Sequence, residues 1–314
     1  MNAPLHVKYR PENLDEVIGQ KEVVASLRGL LKKKSGMNHA FLFIGPSGCG
    51  KTTLARIIAH ELQCDPVNII EVDAASNNRI DDVRALTAGL KYTGFGNPVK
   101  MIIIDEAHGL SKNAWTALLK SIEEPPEHVF FAFCTTDGGK VPSTIQTRCV
   151  QYLLKSVTND ELLDLLEFVC DEEGFDTPKN ILSLVARSAK GSPRAALVKL
   201  AAVSGISDRE EAATILEELE ESAEIIDLCR KLLDRSLRWS DAVKILKALP
   251  ENTSPESIRI VVVNYLSGCL MNPKSEKDVP RILDLLSSFS SPCNPTDKMA
   301  PILLAIGNHV FPPN

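Results

Sequence analysis

Along the first half of the chain, short continuous apolar runs alternate with stretches whose apolar residues recur every three or four positions. Ala40 to Ile44, Val67 to Val72, Met101 to Ile104 and Val129 to Phe133 are runs of the first kind, rich in β-branched or aromatic residues and bounded by polar turns. Such runs predict strands buried on both faces of a parallel sheet. Between them, Thr52 to Leu62 has helical spacing. A second helix is expected after Ser76 and Asn77, with Asp81 and Asp82 at the positive end of its dipole, and a third from about Lys112 until Pro125 and Pro126 stop it. The alternation predicts an α/β fold, a parallel sheet with helices on both faces. From about Val157 the period changes: Leu162, Leu163, Leu166 and Val169, then Ile181, Leu182 and Val185, follow helical spacing, and the apolar run Ile258 to Val263 fits either strand or helix. Gly191-Ser192-Pro193 marks a helix junction, and Gly205 with Asp208 breaks the chain before a long acidic helix beginning near Glu210. The expected organisation is therefore a sheet domain over 1–156, a small helical lid over 157–207 and an all-helical domain over 208–314.

Composition narrows the class. Of the 314 residues 44% are apolar, yet there is no stretch of about 18 apolar residues that could cross a bilayer, and the opening MNAPLHVKYRPENLDEV lacks the apolar run of a secretory signal. A cytoplasmic protein without a membrane partner is expected. The eight cysteines form no CxxC pair and have no clustered histidines, so buried free thiols are expected rather than zinc ligands. The net charge of -6 leaves nucleic acid open, since a local basic stripe can bind phosphates on an acidic body.

The chemistry is concentrated in two motifs. Gly45-Pro46-Ser47-Gly48-Cys49-Gly50-Lys51-Thr52 fits GxxxxGK[ST] between a predicted strand and a predicted helix. In that setting glycines let main-chain N–H groups converge on phosphate oxygens, Lys51 reaches the β and γ phosphates of ATP, and the Thr52 hydroxyl ligates magnesium. The plain alternative is a chance glycine turn, and the flanking elements argue against it. Met101 to Ile104 followed by Asp105-Glu106 is an apolar strand ending in two acids; alone it reads as a core strand meeting solvent, but beside the phosphate loop Asp105 would hold the magnesium shell and Glu106 would polarise the attacking water.

With Ala107-His108, the two acids resemble the DExx box of AAA+ sliding-clamp loaders, and the similarity is greatest to the gamma/tau subunits of bacterial DNA polymerase III. Lys8-Tyr9-Arg10-Pro11 and Val17-Ile18-Gly19-Gln20 resemble the segment that wraps the adenine in that family, and Leu118 to Pro126 resembles its LLK-LEEPP helix. The resemblance implies nucleotide contacts from Tyr9, Arg10, Pro11, Val17, Ile18, residues 45–52, Thr53, Pro193 and Arg194. It implies sensor 1 at Thr136 in Cys134-Thr135-Thr136-Asp137, and sensor 2 at Arg194 in Gly191-Ser192-Pro193-Arg194. Thr147-Arg148-Cys149 is similar to the family's Ser-Arg-Cys signature, which implies that Arg148 acts as an arginine finger on a neighbouring subunit's ATP.

The family's four-cysteine zinc module is represented here only by Cys64, so no structural zinc is expected. The chain also ends after one helical region without tau's long extension, a plan expected of a phage or divergent bacterial loader. By the same resemblance Arg79, Arg84, Lys120 and Thr144 would contact duplex phosphates, Arg79 would also restrain Glu106 until DNA arrives, and Lys32-Lys33-Lys34 is a solvated helix end. The implied partners are other loader subunits in a pentamer joined through the C-terminal helices as a collar, a sliding clamp, and primer–template DNA. The implied cycle uses ATP to open and load the clamp. Two rival readings are another AAA+ motor, such as a branch-migration helicase or protein remodeller, and a structural loader subunit that does not hydrolyse ATP.

Overall fold

The computed structural model describes residues 3–32, 37–74, 80–92, 96–233, 237–250, 253–272, 276, 278–294 and 298–311, with the backbone alone at 82 and 220–222. The chain divides into two compact units, Met1–Arg209 and Glu210–Asn314. In the first, α1 (Leu5–Lys8) and α2 (Lys21–Leu31) precede β1 (Ala40–Ile44), α3 (Lys51–Glu61), β2 (Ile69–Asp73), α4 (Ile80–Ala88), β3 (Lys100–Asp105), α5 (Lys112–Glu123), β4 (Val129–Thr135), α6 (Ser143–Gln146) and β5 (Val150–Leu153). Three further helices follow: α7 (Asn159–Glu173), α8 (Lys179–Ser188) and α9 (Pro193–Val203).

The described strands form one parallel five-stranded sheet in the order β2-β3-β4-β1-β5. Alternate side chains of the central strands point to opposite faces, as the pleat requires. Phe41, Phe43, Met101, Ile103, Ala132 and Cys134 pack with Leu27 of α2 and Leu54, Ile57 and Ile58 of α3. Leu42, Ile102, Ile104, Phe131 and Phe133 pack on the other face with Val83 of α4, Trp115, Leu118 and Ile122 of α5, and Ile145 of α6. Both faces of β1, β3 and β4 are thus covered, which is why their sequences are unbroken apolar runs.

The edges differ from expectation. β2 begins at Ile69, because Pro66 to Asn68 form a 3-10 turn, and it is not buried: Ile70 is 37% exposed, and the strand pairs only with β3. β5 has no counterpart in the apolar pattern. It is a four-residue edge strand, Val-Gln-Tyr-Leu, in which only Tyr152 is buried, and pairing with β1 rather than hydrophobicity defines it.

The start of α7 is set by a capping box. The Thr158 hydroxyl accepts from Glu161 N, while the Glu161 carboxylate accepts from Thr158 N at 3.1 Å and from its hydroxyl at 2.8 Å. The hydroxyl bond is the main cause of a lowered Glu161 pKa. Gly174, at φ +69°, ends the helix. α7, α8 and α9 bury Leu162, Leu166, Val169, Ile181, Leu182, Val185, Leu197 and Leu200.

The second unit is helical. It contains α10 (Arg209–Leu233, whose first residue belongs to the first unit), α11 (Trp239–Ala248), α12 (Pro255–Met271), α13 (Val279–Ser288) and α14 (Ala300–Val310). The ambiguous run Ile258 to Val263 is helix, lying in α12, and its Ile258 and Val262 join Leu228, Leu232, Leu266, Leu285, Ile302 and Ile306 in one core. Polar contacts link α13 to α14: His309 Nε2 lies 2.9 Å from Ser288 Oγ, and His309 Nδ1 lies 3.4 Å from Asp284 Oδ2.

The His309 side chain is 8% exposed, and burial pushes its pKa below the ordinary 6.5, with Asp284 opposing the shift. The unfolded chain therefore takes up this proton more readily than the fold does. The stabilising contribution is present above 6.5 and is lost as the pH falls through the depressed folded value. His309→Gln is expected to flatten the loss of melting temperature between about pH 7 and pH 5. An unchanged slope would contradict this assignment.

Candidate nucleotide site

β1 ends between β4 and β5, where the strand order reverses, and such a switch point opens a crevice at the carboxyl ends of the strands. The glycine turn crosses it. Gly45 N donates to Thr135 O at 3.1 Å, and a Cβ on Gly45 would meet Leu154 O at 2.7 Å, so only glycine lets this backbone pass. Gly48 has φ +72°, and a Cβ there would lie 2.2 Å from Ser192 Oγ at the start of α9. Ser192 caps α9 by accepting from Ala195 N at 3.2 Å.

Lys51, the first residue of α3, is only 6% exposed. Its Nζ donates to Gly45 O and Pro46 O, each at 2.9 Å. An ammonium has three protons, so these bonds leave one for an anion in the crevice. A buried cation served only by neutral carbonyls gains strongly from an anionic partner, and the donor set therefore fits a phosphate group. Next to it, Thr52 Oγ1 donates to Asp105 Oδ2 at 3.1 Å, and Glu106 N donates to Asp105 Oδ1 at 3.0 Å. A hydroxyl and a carboxylate oxygen brought together beside a phosphate pocket are the oxygen ligands that suit magnesium.

Glu106 follows β3 at φ +47°, a left-handed conformation uncommon outside glycine. It turns the carboxylate toward His108, whose Nδ1 lies 3.3 Å from Glu106 Oε2 and 3.1 Å from Thr135 Oγ1. Behind them Cys134 is buried, and burial followed by the Asp105 charge pushes its thiol pKa well up. Cys49 in the turn is also raised, mainly by burial, with Lys51 opposing. Neither thiol is poised as a thiolate.

The turn opens into a cavity of about 750 Å³, within the size range of nucleotide-sized ligand sites. Residues 47–53, Asp105, Glu106, Pro193 and Arg194 line it together with Tyr9, Arg10, Pro11, Val17 and Ile18. Gly45 and Pro46 do not line it; they hold Lys51 through their carbonyls. Several lining residues have no motif to announce them: Glu161, Asp164, Leu165 and Phe168 from α7, and Leu197 from α9.

Tyr9 joins the amino-terminal segment to α7. Its ring meets Phe168 edge-on at 6.2 Å, and its hydroxyl donates to Glu173 Oε1 at 2.8 Å. Lys8 Nζ reaches the same oxygen at 2.7 Å. The Lys8 hydrogen bond, then that of Tyr9, lowers the Glu173 pKa, while partial burial raises that of Tyr9. Gln20 makes a second tie, donating to Lys155 O at 2.6 Å and accepting from Lys155 N at 3.1 Å.

Other expected site residues lie elsewhere. Thr136 is exposed and does not line the cavity; the buried polar residue at the end of β4 is Thr135, because the register pairing it with Ile44 carries the strand one residue further. Arg148 is also outside its own cavity. It forms an ion pair with Glu123 of α5 at 2.5 Å and donates to Thr144 O at 2.6 Å. Arg84 on α4 lies 3.6 Å from Asp81 Oδ1, and Lys120 on α5 and Thr144 on α6 are exposed; these three helices follow β2, β3 and β4 and cover one face of the sheet. Ser76, Asn77, Arg79, Lys33 and Lys34 lie outside the described residues.

Residues 65–158 match the family described as DNA polymerase III, delta subunit, and residues 2–93 match the Rad17 P-loop domain. DNA polymerase III subunit tau of Bacillus subtilis is 34% identical over 292 residues, covering 85% of this chain and 51% of that protein. The tau subunit of Escherichia coli is 34% identical over 271 residues, covering 74% and 42% respectively. This chain resembles the gamma/tau subunits of DNA polymerase III. The gamma/tau-like chain spans about half the length of the curated relatives it matches. Among solved structures, the Holliday junction branch migration motor of Thermotoga maritima superposes with a TM-score of 0.55 at 24% identity, covering 88% of this chain and 98% of that one. That likeness carries the fold alone, a parallel sheet followed by helices.

Gly48→Ala tests the cradle. The added methyl is strained at φ +72° and collides with Ser192 Oγ, so titration with a fluorescent ATP analogue is expected to show binding weakened about tenfold or more. Parental affinity would mean that nucleotide phosphates are not gripped at this turn.

Proposed function

We propose that this chain is an ATP-hydrolysing subunit of a DNA polymerase clamp loader, which opens a sliding clamp and loads it onto primer–template DNA. The observation that carries the reading is that Lys51, Thr52, Asp105 and Glu106 line one nucleotide-sized cavity, with Thr52 bonded to Asp105, in a chain about a third identical to tau subunits. A subunit that only lent its surface to partners has no chemical need for all four groups.

Lys51 and the main-chain N–H groups of the turn bind the β and γ phosphates, and Thr52 and Asp105 hold magnesium, which when bound neutralises phosphate charge. Glu106 orients the attacking water. Arg194, at the start of α9, reports the γ phosphate from the lid. Arg148 acts on the ATP of a neighbouring subunit; its position on the surface, outside its own cavity, supports a role in trans. Arg84, Lys120 and Thr144, on helices covering one sheet face, follow duplex phosphates without reading bases, and Arg79 is a further candidate. In this reading 1–156 is the nucleotide-binding domain, 157–207 the lid and 208–314 the collar of a pentamer working in the cytoplasm.

The test is ATP turnover by the purified assembly with clamp and primed DNA. Lys51→Ala is expected to lower turnover at least about a hundredfold, and Arg148→Ala to lower it comparably while leaving ATP binding intact. Parental turnover with Lys51→Ala would reduce the chain to a scaffold. Stimulation by junction DNA or unfolded protein, but not by clamp and primed DNA, would favour another AAA+ motor.

A further inference from the structure

We propose that His108 is a positioning residue that ties Glu106 to the end of β4 and restrains its carboxylate in the resting protomer. The proposal rests on the reading of Glu106 as the residue that orients the attacking water.

Thr135 Oγ1 donates to Asp137 O at 3.1 Å, and the same oxygen accepts from Asp137 N at 3.1 Å. Its one hydrogen is thereby used, so toward His108 Nδ1, at 3.1 Å, the hydroxyl can only accept. The Glu106 carboxylate places a second oxygen, Oε2, 3.3 Å from the same nitrogen. An accepting hydroxyl assigns the proton to Nδ1, which hydrogen-bonds Thr135 Oγ1 while the ring nitrogen stays within ion-pair distance of the Glu106 carboxylate. The opposite tautomer would set a bare nitrogen lone pair against a carboxylate.

The backbone reinforces this geometry. His108 lies in the 3-10 turn Ala107–Gly109, closed by Gly109 N donating to Glu106 O at 2.7 Å. Glu106, at φ +47°, opens the turn, and its Oε2 lies 3.3 Å from His108 Nδ1. Glu106 nevertheless lines the cavity, so loss of the His108 contact would free its side chain to move there.

Thr135 has contacts on three sides. Its carbonyl accepts from Gly45 N at the root of the phosphate loop, and its hydroxyl contacts both His108 and the Asp137 backbone. Beyond Asp137, Gln146 Nε2 donates to Gly138 O at 3.0 Å and Val141 O at 2.8 Å, bracing the segment that leads to Arg148. A displacement at the phosphate loop or near Arg148 therefore reaches Thr135 first and Glu106 through the His108 ring. Thr135, rather than the exposed Thr136, is the β4 residue placed to make this connection.

The experiment measures ATP turnover by the intact assembly with clamp, without and with primed DNA, together with ATP affinity. His108→Ala is expected to raise the unstimulated rate about fivefold and to shrink the ratio of stimulated to unstimulated rates to match, at unchanged ATP affinity. His108→Asn, which offers an amide N–H near the Nδ1 position, should restore the ratio toward the parental value. Thr135→Val should act in the same direction as His108→Ala and add little to it in the double variant. A parental ratio in His108→Ala, or a failure of His108→Asn to restore it, would overturn the proposal, provided that Lys51→Ala abolishes turnover in the same assembly. Turnover that survives Lys51→Ala would instead overturn the ATPase reading, and this proposal with it.

Discussion

The burial of the Lys51 ammonium at the switch point of the sheet is the constraint on which the other features of the site depend. A cation at 6% exposure is tolerable only because the glycine turn folds its own carbonyls onto Nζ, and the turn can do so only because no side chain intervenes at Gly45 or Gly48. The same two glycines admit Leu154 on one side and Ser192 on the other. The phosphate loop is thereby wedged between the strand that follows Arg148 and the helix that carries Arg194. Local backbone freedom, charge burial and the approach of distant elements are a single requirement here.

The packing around that turn explains how a loop can be held firmly enough to do chemistry. β1, β3 and β4 are covered on both faces, and their carboxyl ends deliver Gly45, Asp105 and Thr135 to one edge in register. Each fully buried aromatic or aliphatic side chain of those strands contributes about 1.5–3 kcal/mol, so the positions of the three ends are fixed by the core rather than by the polar contacts they make. The amino-terminal segment and α7 both line the cavity and are joined through Tyr9, Phe168 and Glu173, a combination of ring contact and charge-assisted hydrogen bonds. Movement of one therefore draws on the other.

Much of this was legible in the residues, for identifiable reasons. Strands covered on both faces leave unbroken apolar runs, and the phosphate loop and its acidic partner have little freedom in residue type or spacing, so β1, β3, β4, Lys51, Thr52 and Asp105 could be read directly. Edge strands leave no such trace: β5 is defined by main-chain pairing with β1, and β2 is half-exposed although it reads as buried. Along β4 the offset between Thr135 and Thr136 is a matter of register, which adjacent identical residues cannot reveal. The α7 side of the cavity was invisible for another reason. Leu165 and Phe168 look like ordinary core positions of an amphipathic helix, and only the docking of the amino-terminal segment makes them part of a site.

In the proposed function, phosphates are gripped by one protomer and hydrolysis is completed by another. The most direct test compares ATP turnover per active site in the isolated chain and in the full assembly, at equal nucleotide saturation. Saturable ATP binding is expected in both, with turnover at least about a hundredfold slower in the isolated chain. Equal turnover in the two would contradict it.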